Sequence, residues 1–191
     1  IAAGNCVVLK PSEFAPATDA VMKKIIEETF APEYILYVQG EGQTVIPAMM
    51  NNFSFDHVFY TGPIDAWFNF KYGRLGYRTV TFETHYADGD FQGTTQMNYC
   101  DEQVPYTRIT EHKHFANWEQ YDKTIYFKEF SKETEPSDIP YYPKRLEKDK
   151  TLLLQYRKDA EILQHVSFLG RLATYRYMDM HNVIGEALDF S

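Results

Sequence analysis

The chain is poor in cysteine, in basic residues relative to acidic ones, and in long apolar runs. Its 191 residues include two cysteines, Cys6 and Cys100, which lie far apart and form neither a CxxC nor a Cys/His spacing. The sequence therefore argues against a disulfide framework and a thiolate metal site, and predicts two reduced thiols in a cytoplasmic protein. The formal net charge is -8 at pH 7, so no basic field is available to hold nucleic acid or an anionic membrane surface.

No run of eighteen apolar residues and no charged leader followed by an apolar stretch is present. The sequence therefore predicts neither a membrane span nor an export signal. The composition is typical of a globular protein, because 44% of the residues are apolar and 16% are aromatic, enough for one good core or two small ones. The chain starts at Ile1 in what resembles the middle of a domain, and we expect it to be an excised piece.

The first part of the chain alternates short apolar strands with helices. Apolar runs at Cys6–Leu9, Tyr34–Val38 and His57–Tyr60 predict three strands, and Cys6 is expected to be buried in the first, where its thiol is unreactive. An amphipathic helix that starts near Pro16 and a short helical segment at Val45–Met50 separate them. This β-α-β-α-β order predicts a parallel, doubly wound unit.

Beyond Gly62 the pattern changes to alternating strands, and 12 of the 15 tyrosines follow this point. The pattern predicts half-buried antiparallel strands and then two amphipathic helices around a short strand. The predicted segments are strands Arg78–Glu83, Gly93–Tyr99, Lys123–Lys128 and His165–Phe168, a helix through Leu152–Leu163, and a last helix with Asp179 as its cap. The predicted fold is α/β (α+β overall), a parallel β-α-β unit in residues 1–62 joined to a mostly antiparallel sheet with flanking helices in residues 63–191.

Two motifs in the first part, VVLKPSE at residues 7–13 and FDHVFYTG at residues 55–62, carry a resemblance. The segment resembles the nicotinamide-binding segment of the aldehyde dehydrogenase superfamily. The resemblance implies an NAD site at the carboxyl end of a strand, with Lys10, Ser12 and Glu13 as its contacts. The catalytic thiolate, oxyanion-holding Asn and water-activating Glu of that family have no matching positions. After Gly62 the family continues with small residues near the cofactor phosphates, whereas this chain has Pro63-Ile64-Asp65, so the resemblance implies a truncated NAD site. An ordinary polar turn at these three residues stays equally open.

Four further motifs carry a second resemblance: YTGPIDAWF at residues 60–68, VPYTRITEHK at 104–113, PYYP at 140–143 and GRLATYRYMDM at 170–180. Residues 58–191 resemble the C-terminal part of UDP-galactopyranose mutase, a flavin-dependent isomerase that interconverts UDP-galactopyranose and UDP-galactofuranose. The resemblance assigns four residues to the UDP-sugar: Arg108, Tyr142, Tyr177 and Glu129. It assigns three residues to FAD: Arg171, Asp179 and Met180.

These residue types suit the implied ligands. The planar fork of arginine meets phosphate oxygens in pairs, and a helix N-terminus such as the one after Asp179 stabilises negative charge. No Gly-rich strand-turn-helix motif for the flavin pyrophosphate occurs in the sequence. The expected catalytic set is therefore incomplete, and the sequence leaves open whether the chain is an enzyme by itself.

Three functional hypotheses stay open. The first is an incomplete mutase-like isomerase, inactive alone, with FAD expected and NAD left open at the truncated site. The second is a non-catalytic recombinant or engineered chimera whose upstream unit only completes a sheet through strand Val58–Gly62. The third is an NAD-dependent aldehyde dehydrogenase fragment, which lacks a nucleophile. The expected partner is a UDP-sugar, with no nucleic acid and no membrane, and a homo-oligomer stays open.

Several other side chains have structural interpretations. The tyrosines of the antiparallel part are expected to pack as amphipathic rings: Tyr77, Tyr99, Tyr106, Tyr126 and Tyr156. Glu111–His114 alternates like a strand, which would place His112 and His114 on one side, and no metal site is expected there.

Overall fold

The computed structural model describes residues 5–11 and 15–190. The chain divides into two compact units, the first ending at Asp56 and the second beginning at His57. Ser12 and Glu13, two of the three predicted NAD contacts, lie outside the described residues.

The first unit contains two short parallel strands and two helices: β1 (Val7–Leu9), α1 (Pro16–Thr29), β2 (Ile35–Tyr37) and α2 (Gly42–Asn52). β1 pairs in parallel with β2, with Val7 opposite Ile35. Pro16 occupies the first turn of α1, where the missing N–H of proline costs no hydrogen bond. The order and approximate bounds of these elements confirm the prediction.

The burial expected of Cys6 and of both faces of β1 is not found, although Ile35 in β2 is buried. Cys6 precedes β1 and is exposed, so the prediction of a buried thiol is wrong. β1 is half-buried rather than covered on both faces, and within the described part of α1 no residue is buried. Val21 and Ile25, on the apolar face of α1, are 59% and 55% exposed. A sheet of two three-residue strands is too small to cover that face.

The second unit is built on a five-stranded antiparallel sheet with helices around it. Its elements are β3 (Val58–Tyr60), α3 (Ile64–Trp67), β4 (Tyr77–Asp88), β5 (Gln96–Asn98), β6 (Arg108–Glu111), a 3-10 helix (His112–Phe115), β7 (Lys123–Glu133), β8 (Tyr142–Pro143), α4 (Glu147–Glu161), β9 (Val166–Phe168), α5 (Gly170–Ala173) and α6 (Met180–Asp189). The strand order in the sheet is β5-β6-β7-β4-β8. The long pair β4–β7 runs in continuous register from Arg78↔Glu133 to Asp88↔Lys123. The predicted mixture of parallel and antiparallel parts is confirmed.

β3 belongs to the second unit. It pairs in parallel with β9, with Val58 opposite Val166. The ladder is extended by the Val58 N–H, which donates to the His165 carbonyl at 2.8 Å, and by the Leu169 N–H, which donates to the Tyr60 carbonyl at 3.0 Å. Among the described residues, β1–β2 and β3–β9 are separate two-stranded sheets. The hypothesis that the upstream unit completes a sheet through this strand is therefore wrong, because β3 pairs with a strand far along the chain.

The core of the second unit is an aromatic cluster of buried residues: Ile64, Leu75, Tyr77, Tyr156 and Tyr175. Tyr156 is fully buried, and its hydroxyl donates to the Gly73 carbonyl at 2.6 Å and accepts from the Tyr72 N–H at 3.1 Å. The packing role predicted for Tyr77, Tyr126 and Tyr156 is confirmed by their burial. Tyr175, which the sequence pattern did not single out, joins the same core.

One carboxylate lies inside this core. Asp65 is 2% exposed, and its Oδ2 accepts from the Leu75 N–H at 2.9 Å. Burial raises the pKa of Asp65 although hydrogen bonds from backbone N–H groups and from Tyr77 act in the opposite direction. Burial, together with the charge of Asp65, also raises the pKa of the Tyr77 hydroxyl. The carboxylate thus joins α3 to the start of β4.

The segment after β6 differs from its prediction. His112–Phe115 forms a 3-10 helix and not a continuation of the strand. His112 and His114 consequently point in different directions: the His112 ring packs edge-on against Phe127, and His114 faces Glu111. In the part of the chain that the structure describes, no helix is both long and apolar enough to cross a membrane.

Candidate active site

Three of the predicted site residues lie on one face of the five-stranded sheet. Arg108 on β6 is paired with Glu129 on β7. Tyr142 on β8 is paired with Arg78 on β4, which is paired with Glu133 on β7. Directly paired residues share a face, and every second residue of a strand returns to it. Arg108, Glu129 and Tyr142 therefore project to the same side, and they define the site face.

Arg108 and Glu129 are oriented by their neighbours. The Arg108 Nη1 lies 3.8 Å from the Glu129 Oε2, and the Arg108 Nε donates to the Asn98 Oδ1 at 2.9 Å. The Thr107 hydroxyl donates to the Glu129 Oε1 at 3.2 Å. The Arg108 side chain is 34% exposed and that of Glu129 is 15% exposed. The guanidinium is thus held in one orientation and still open to an anionic ligand.

The two residues line a shallow cleft of about 440 Å³. The remaining lining residues are Phe82, Gln96, Thr110, His112, Phe115 and Phe127. Phe82 and Phe115 expose a large part of their rings, so the cleft combines flat apolar surface with one cationic and one anionic group. Such a combination suits a polar ligand that also carries an apolar face.

Tyr142 meets two other predicted residues at the edge of the sheet. The guanidinium of Arg171 lies 5.0 Å from the centre of the Tyr142 ring and 5.7 Å from that of Tyr177. The two rings are stacked with their centres 6.2 Å apart. The Arg171 Nη2 donates to the Met178 carbonyl at 2.7 Å, which fixes the guanidinium over the rings. Cation–π contacts of this kind contribute about 0.5–1 kcal/mol each when exposed.

Arg171 and Tyr177 lie on the segment that contains α5 and leads into α6. Gly170 has φ of +79°, a conformation that favours glycine, and its N–H donates to the Glu186 Oε2 at 2.8 Å. Asp179 is the N-cap residue of α6, as predicted. Its carbonyl accepts from the Asn182 N–H at 3.0 Å, and its own N–H donates to the Asn182 Oδ1 at 3.3 Å. α6 therefore begins at Met180, three residues after Tyr177.

The surroundings of the α6 N-terminus fit a flavin ring. Tyr177 is 61% exposed and Met180 is 82% exposed, so both offer apolar surface to a flat ligand. Arg171 adds a fixed positive charge beside them. The N-terminus of a ten-residue helix adds the positive end of its dipole. These groups match the needs of an electron-rich ring system that carries negative charge.

Of the three predicted NAD contacts, only Lys10 lies among the described residues, and it belongs to the first unit. Lys10 follows β1 directly and is half-buried, at the carboxyl end of its strand. Ser12 and Glu13 lie outside the described residues.

The sequence interpretation missed one residue beside Arg108. Asn98 on β5 is directly opposite Arg108 on β6 and accepts the hydrogen bond from its Nε. A hairpin register for residues 96–110 would have placed the two together. The available signal was weak, because β5 has only three residues.

Comparison with known proteins agrees with the second resemblance. The family model described as "GLF: UDP-galactopyranose mutase" matches residues 24–177. The chain is 52% identical over 132 residues to the probable UDP-galactopyranose mutase of Klebsiella pneumoniae, which covers 69% of this chain and 34% of that protein. It is 43% identical over 148 residues to the dTDP-fucopyranose mutase of Escherichia coli, covering 77% of this chain and 39% of that protein. The chain thus spans between 34% and 39% of the length of these relatives.

A shorter similarity agrees with the first resemblance. Over 62 residues the chain is 50% identical to the 4,4'-diapolycopene-4,4'-dial dehydrogenase of Cytobacillus firmus, a match that covers 32% of this chain and 13% of that protein. This partial match is consistent with a chain of two origins. The mutase family model covers more than half of the chain, and the chain therefore belongs to the UDP-galactopyranose mutase family.

Proposed function

We propose that this chain supplies nucleotide-sugar and flavin contacts to a mutase that interconverts the pyranose and furanose forms of a UDP-hexose, and that it is inactive by itself. The observation that carries the proposal is the position of the predicted residues. Arg108, Glu129 and Tyr142 share the site face, and Tyr142 is in contact with Arg171, which also lies over Tyr177.

Each residue has a proposed role that its geometry supports. Arg108 binds a diphosphate oxygen, while Glu129 and Asn98 hold its guanidinium in place. The hydroxyls of Tyr142 and Tyr177 donate further hydrogen bonds to the diphosphate without adding charge. A bound reduced flavin would supply the electron density needed to open and reclose a sugar ring without net oxidation.

Arg171 and the start of α6 act on the cofactor side. The guanidinium of Arg171, fixed by the Met178 carbonyl, and the N-terminal end of α6 stabilise negative charge on a bound ring. Met180, which is exposed at the first turn of α6, offers an apolar contact.

The proposed lack of activity rests on the extent of the match. The relatives named as mutases are matched over only 34% to 39% of their length, and the sequence contains no Gly-rich pyrophosphate motif. We also infer that the NAD site implied by Lys10 is truncated. Titration with NAD tests this inference, which predicts no saturable binding.

Calorimetric titration with UDP-galactose tests the main proposal. Binding in the millimolar range is expected, and Arg108→Ala should weaken it about 10-fold or more, since a hydrogen bond to a charged group contributes about 1.5–3 kcal/mol. Lys128→Ala is the matched control. Lys128 precedes Glu129 on β7 and pairs with Ile109, so it projects to the opposite face, where its Nζ lies 5.1 Å from the Tyr106 ring.

The possible results test ligand binding and the lack of activity separately. Equal affinities of the two variants, or no binding at millimolar UDP-galactose, would overturn the ligand assignment. Turnover by the chain alone with reduced FAD would overturn only the proposed lack of activity.

A second substrate is favoured by one specific observation, the 43% identity to a dTDP-fucopyranose mutase over 77% of this chain. If the nucleotide is dTDP, titration with dTDP-fucose should show tighter binding than titration with UDP-galactose. The reverse order of affinities supports the UDP-hexose.

A further inference from the structure

A second group of polar residues lies on the face of the sheet opposite the site face. Asp90 follows β4, Glu111 ends β6, and His114 lies in the 3-10 helix; one ligand atom from each lies within 4.8 Å of the others. We name them the Asp-Glu-His cluster. We propose that the Asp-Glu-His cluster is a divalent-metal site suited to zinc, which ties the loop after β4 to the 3-10 helix.

The distances within the cluster fit a bridging ion. The His114 Nε2 lies 3.4 Å from the Glu111 Oε2 and 3.7 Å from the Asp90 Oδ1. This nitrogen is buried, and among the described residues it has no hydrogen-bond partner. Two ligands of a tetrahedral zinc ion with bonds of about 2.0–2.1 Å are about 3.4 Å apart. The spacing thus matches ligands around one ion. A bound ion would also give the buried His114 nitrogen a partner, and a buried polar atom without one destabilises the fold.

Glu111 is prepared to act as an ionised ligand. Its side chain is fully buried and accepts backbone N–H bonds from Phe91 at 3.0 Å, from Gln92 at 2.9 Å and from Gly93 at 3.2 Å. Hydrogen bonds from three backbone N–H groups favour the ionised form of a carboxylate. The Oε1 atom accepts one of these bonds and the Oε2 atom accepts two, so both carboxylate oxygens are held in place. The backbone donors act as outer-shell contacts that fix its orientation.

A lysine competes with the metal for Asp90. The Lys113 ammonium forms an ion pair with Asp90 and donates to the Gly89 carbonyl at 2.8 Å. Asp90 is about half exposed, so its carboxylate can turn a second oxygen to an ion. The nearby positive charge lowers the affinity of the site for a cation, and removing it should strengthen binding.

The donor set favours zinc over harder cations, and a neighbouring cleft gives an ion access to it. One imidazole nitrogen with two carboxylates is a donor set that zinc accepts, whereas calcium and magnesium prefer oxygen ligands alone. Asp90 and His114 border a polar cleft of about 350 Å³ that also contains Glu119 and Asp122. This cleft gives the ion an entry path and a place for a fourth ligand.

The experiment is calorimetric titration of the tag-free, chelator-stripped chain with ZnCl2, and with MgCl2 and CaCl2 in parallel. One zinc per chain is expected, with no saturable binding of the other two ions. His114→Ala should weaken zinc binding by more than about 100-fold, since loss of even an outer-shell partner costs 10–100-fold. His112→Ala is the control, because His112 lies on the same 3-10 helix and packs against Phe127.

Two further variants test the proposal even if His114→Ala does not fold. Asp90→Asn changes an exposed side chain and should weaken zinc binding, and Lys113→Ala should strengthen it. The proposal is overturned if zinc does not bind, if His112→Ala and His114→Ala lose affinity equally, or if Lys113→Ala leaves the affinity unchanged.

Discussion

The buried carboxylate of Glu111 should make a large, pH-dependent contribution to the stability of the second unit. The change to test is Glu111→Gln, which keeps the size of the side chain and removes its charge. In the native chain both oxygens accept backbone N–H bonds, one from Phe91 and two from Gln92 and Gly93. A glutamine has one oxygen, so its NH2 group would face at least one buried N–H donor. That donor would lose its partner.

The magnitude follows from the pKa. The pKa of Glu111 is lowered from 4.5 to about 2, and at 1.36 kcal/mol per unit the ionised form contributes about 3 kcal/mol. Because the folded-state pKa is the lower one, this contribution is fully present above the unfolded pKa of 4.5. It is lost as the pH falls towards 2, and about 2 kcal/mol should be lost between pH 7 and pH 3.

The assay is urea unfolding followed by tryptophan fluorescence, with a chelator present so that metal binding does not contribute. Both tryptophans, Trp67 and Trp118, lie in the second unit, so the signal reports on the unit that contains Glu111. Glu111→Gln should lower the free energy of unfolding by about 3 kcal/mol at pH 7, and the deficit should shrink to about 1 kcal/mol at pH 3.

The pH dependence of the stability deficit distinguishes the loss of an ionised hydrogen-bonding group from a loss of packing. A deficit of the same size at pH 7 and pH 3 would show that the mutant loses packing and not an ionised hydrogen-bonding group. A deficit below about 1 kcal/mol at pH 7 would contradict the hydrogen-bond account. Glu102→Gln, a change at an exposed loop carboxylate, serves as the control and should alter the stability at pH 7 by no more than about 0.5 kcal/mol.

Two other substitutions test the core and the turn before the candidate active site. Tyr156→Phe removes the hydroxyl that pairs with Gly73 and Tyr72, so two partly buried backbone groups lose a partner and the same urea assay should show a loss of about 1 kcal/mol; an unchanged midpoint would contradict this. Gly170→Ala should cost about 1–2 kcal/mol, because Gly170 has φ of +79°. The nearest atom to an added Cβ, Val183 Cγ1, is 3.9 Å away, so a larger loss would indicate a clash that the geometry does not contain.

Local elements could be predicted because their signals are local. The apolar spacing and Pro16 predicted α1, and Asp179 was correctly expected to cap α6. The 3-10 helix at His112–Phe115 was not predicted, because a four-residue segment of polar and aromatic residues has no distinct period. The prediction that Cys6 is buried was wrong for a different reason. An apolar run indicates only a tendency towards burial, and the strand that follows Cys6, β1, pairs with a single three-residue strand.

The candidate active site could be predicted only in part. The resemblance assigned Arg108, Glu129, Tyr142, Arg171 and Tyr177 to the site, but it could not show that the first three share a face. That relation depends on the register of β6, β7, β4 and β8. Asn98 was missed for the same reason, because its role depends on being opposite Arg108.

The sequence by itself determined the composition, the order of most helices and strands, and the family motifs, because each is encoded by neighbouring residues. The tertiary structure alone decided which distant segments meet. It paired β3 with β9 across more than a hundred residues, and it brought Asp90 to Glu111 and His114. Such contacts depend on strand register and on the packing of the whole unit, and no local pattern of residue types specifies them.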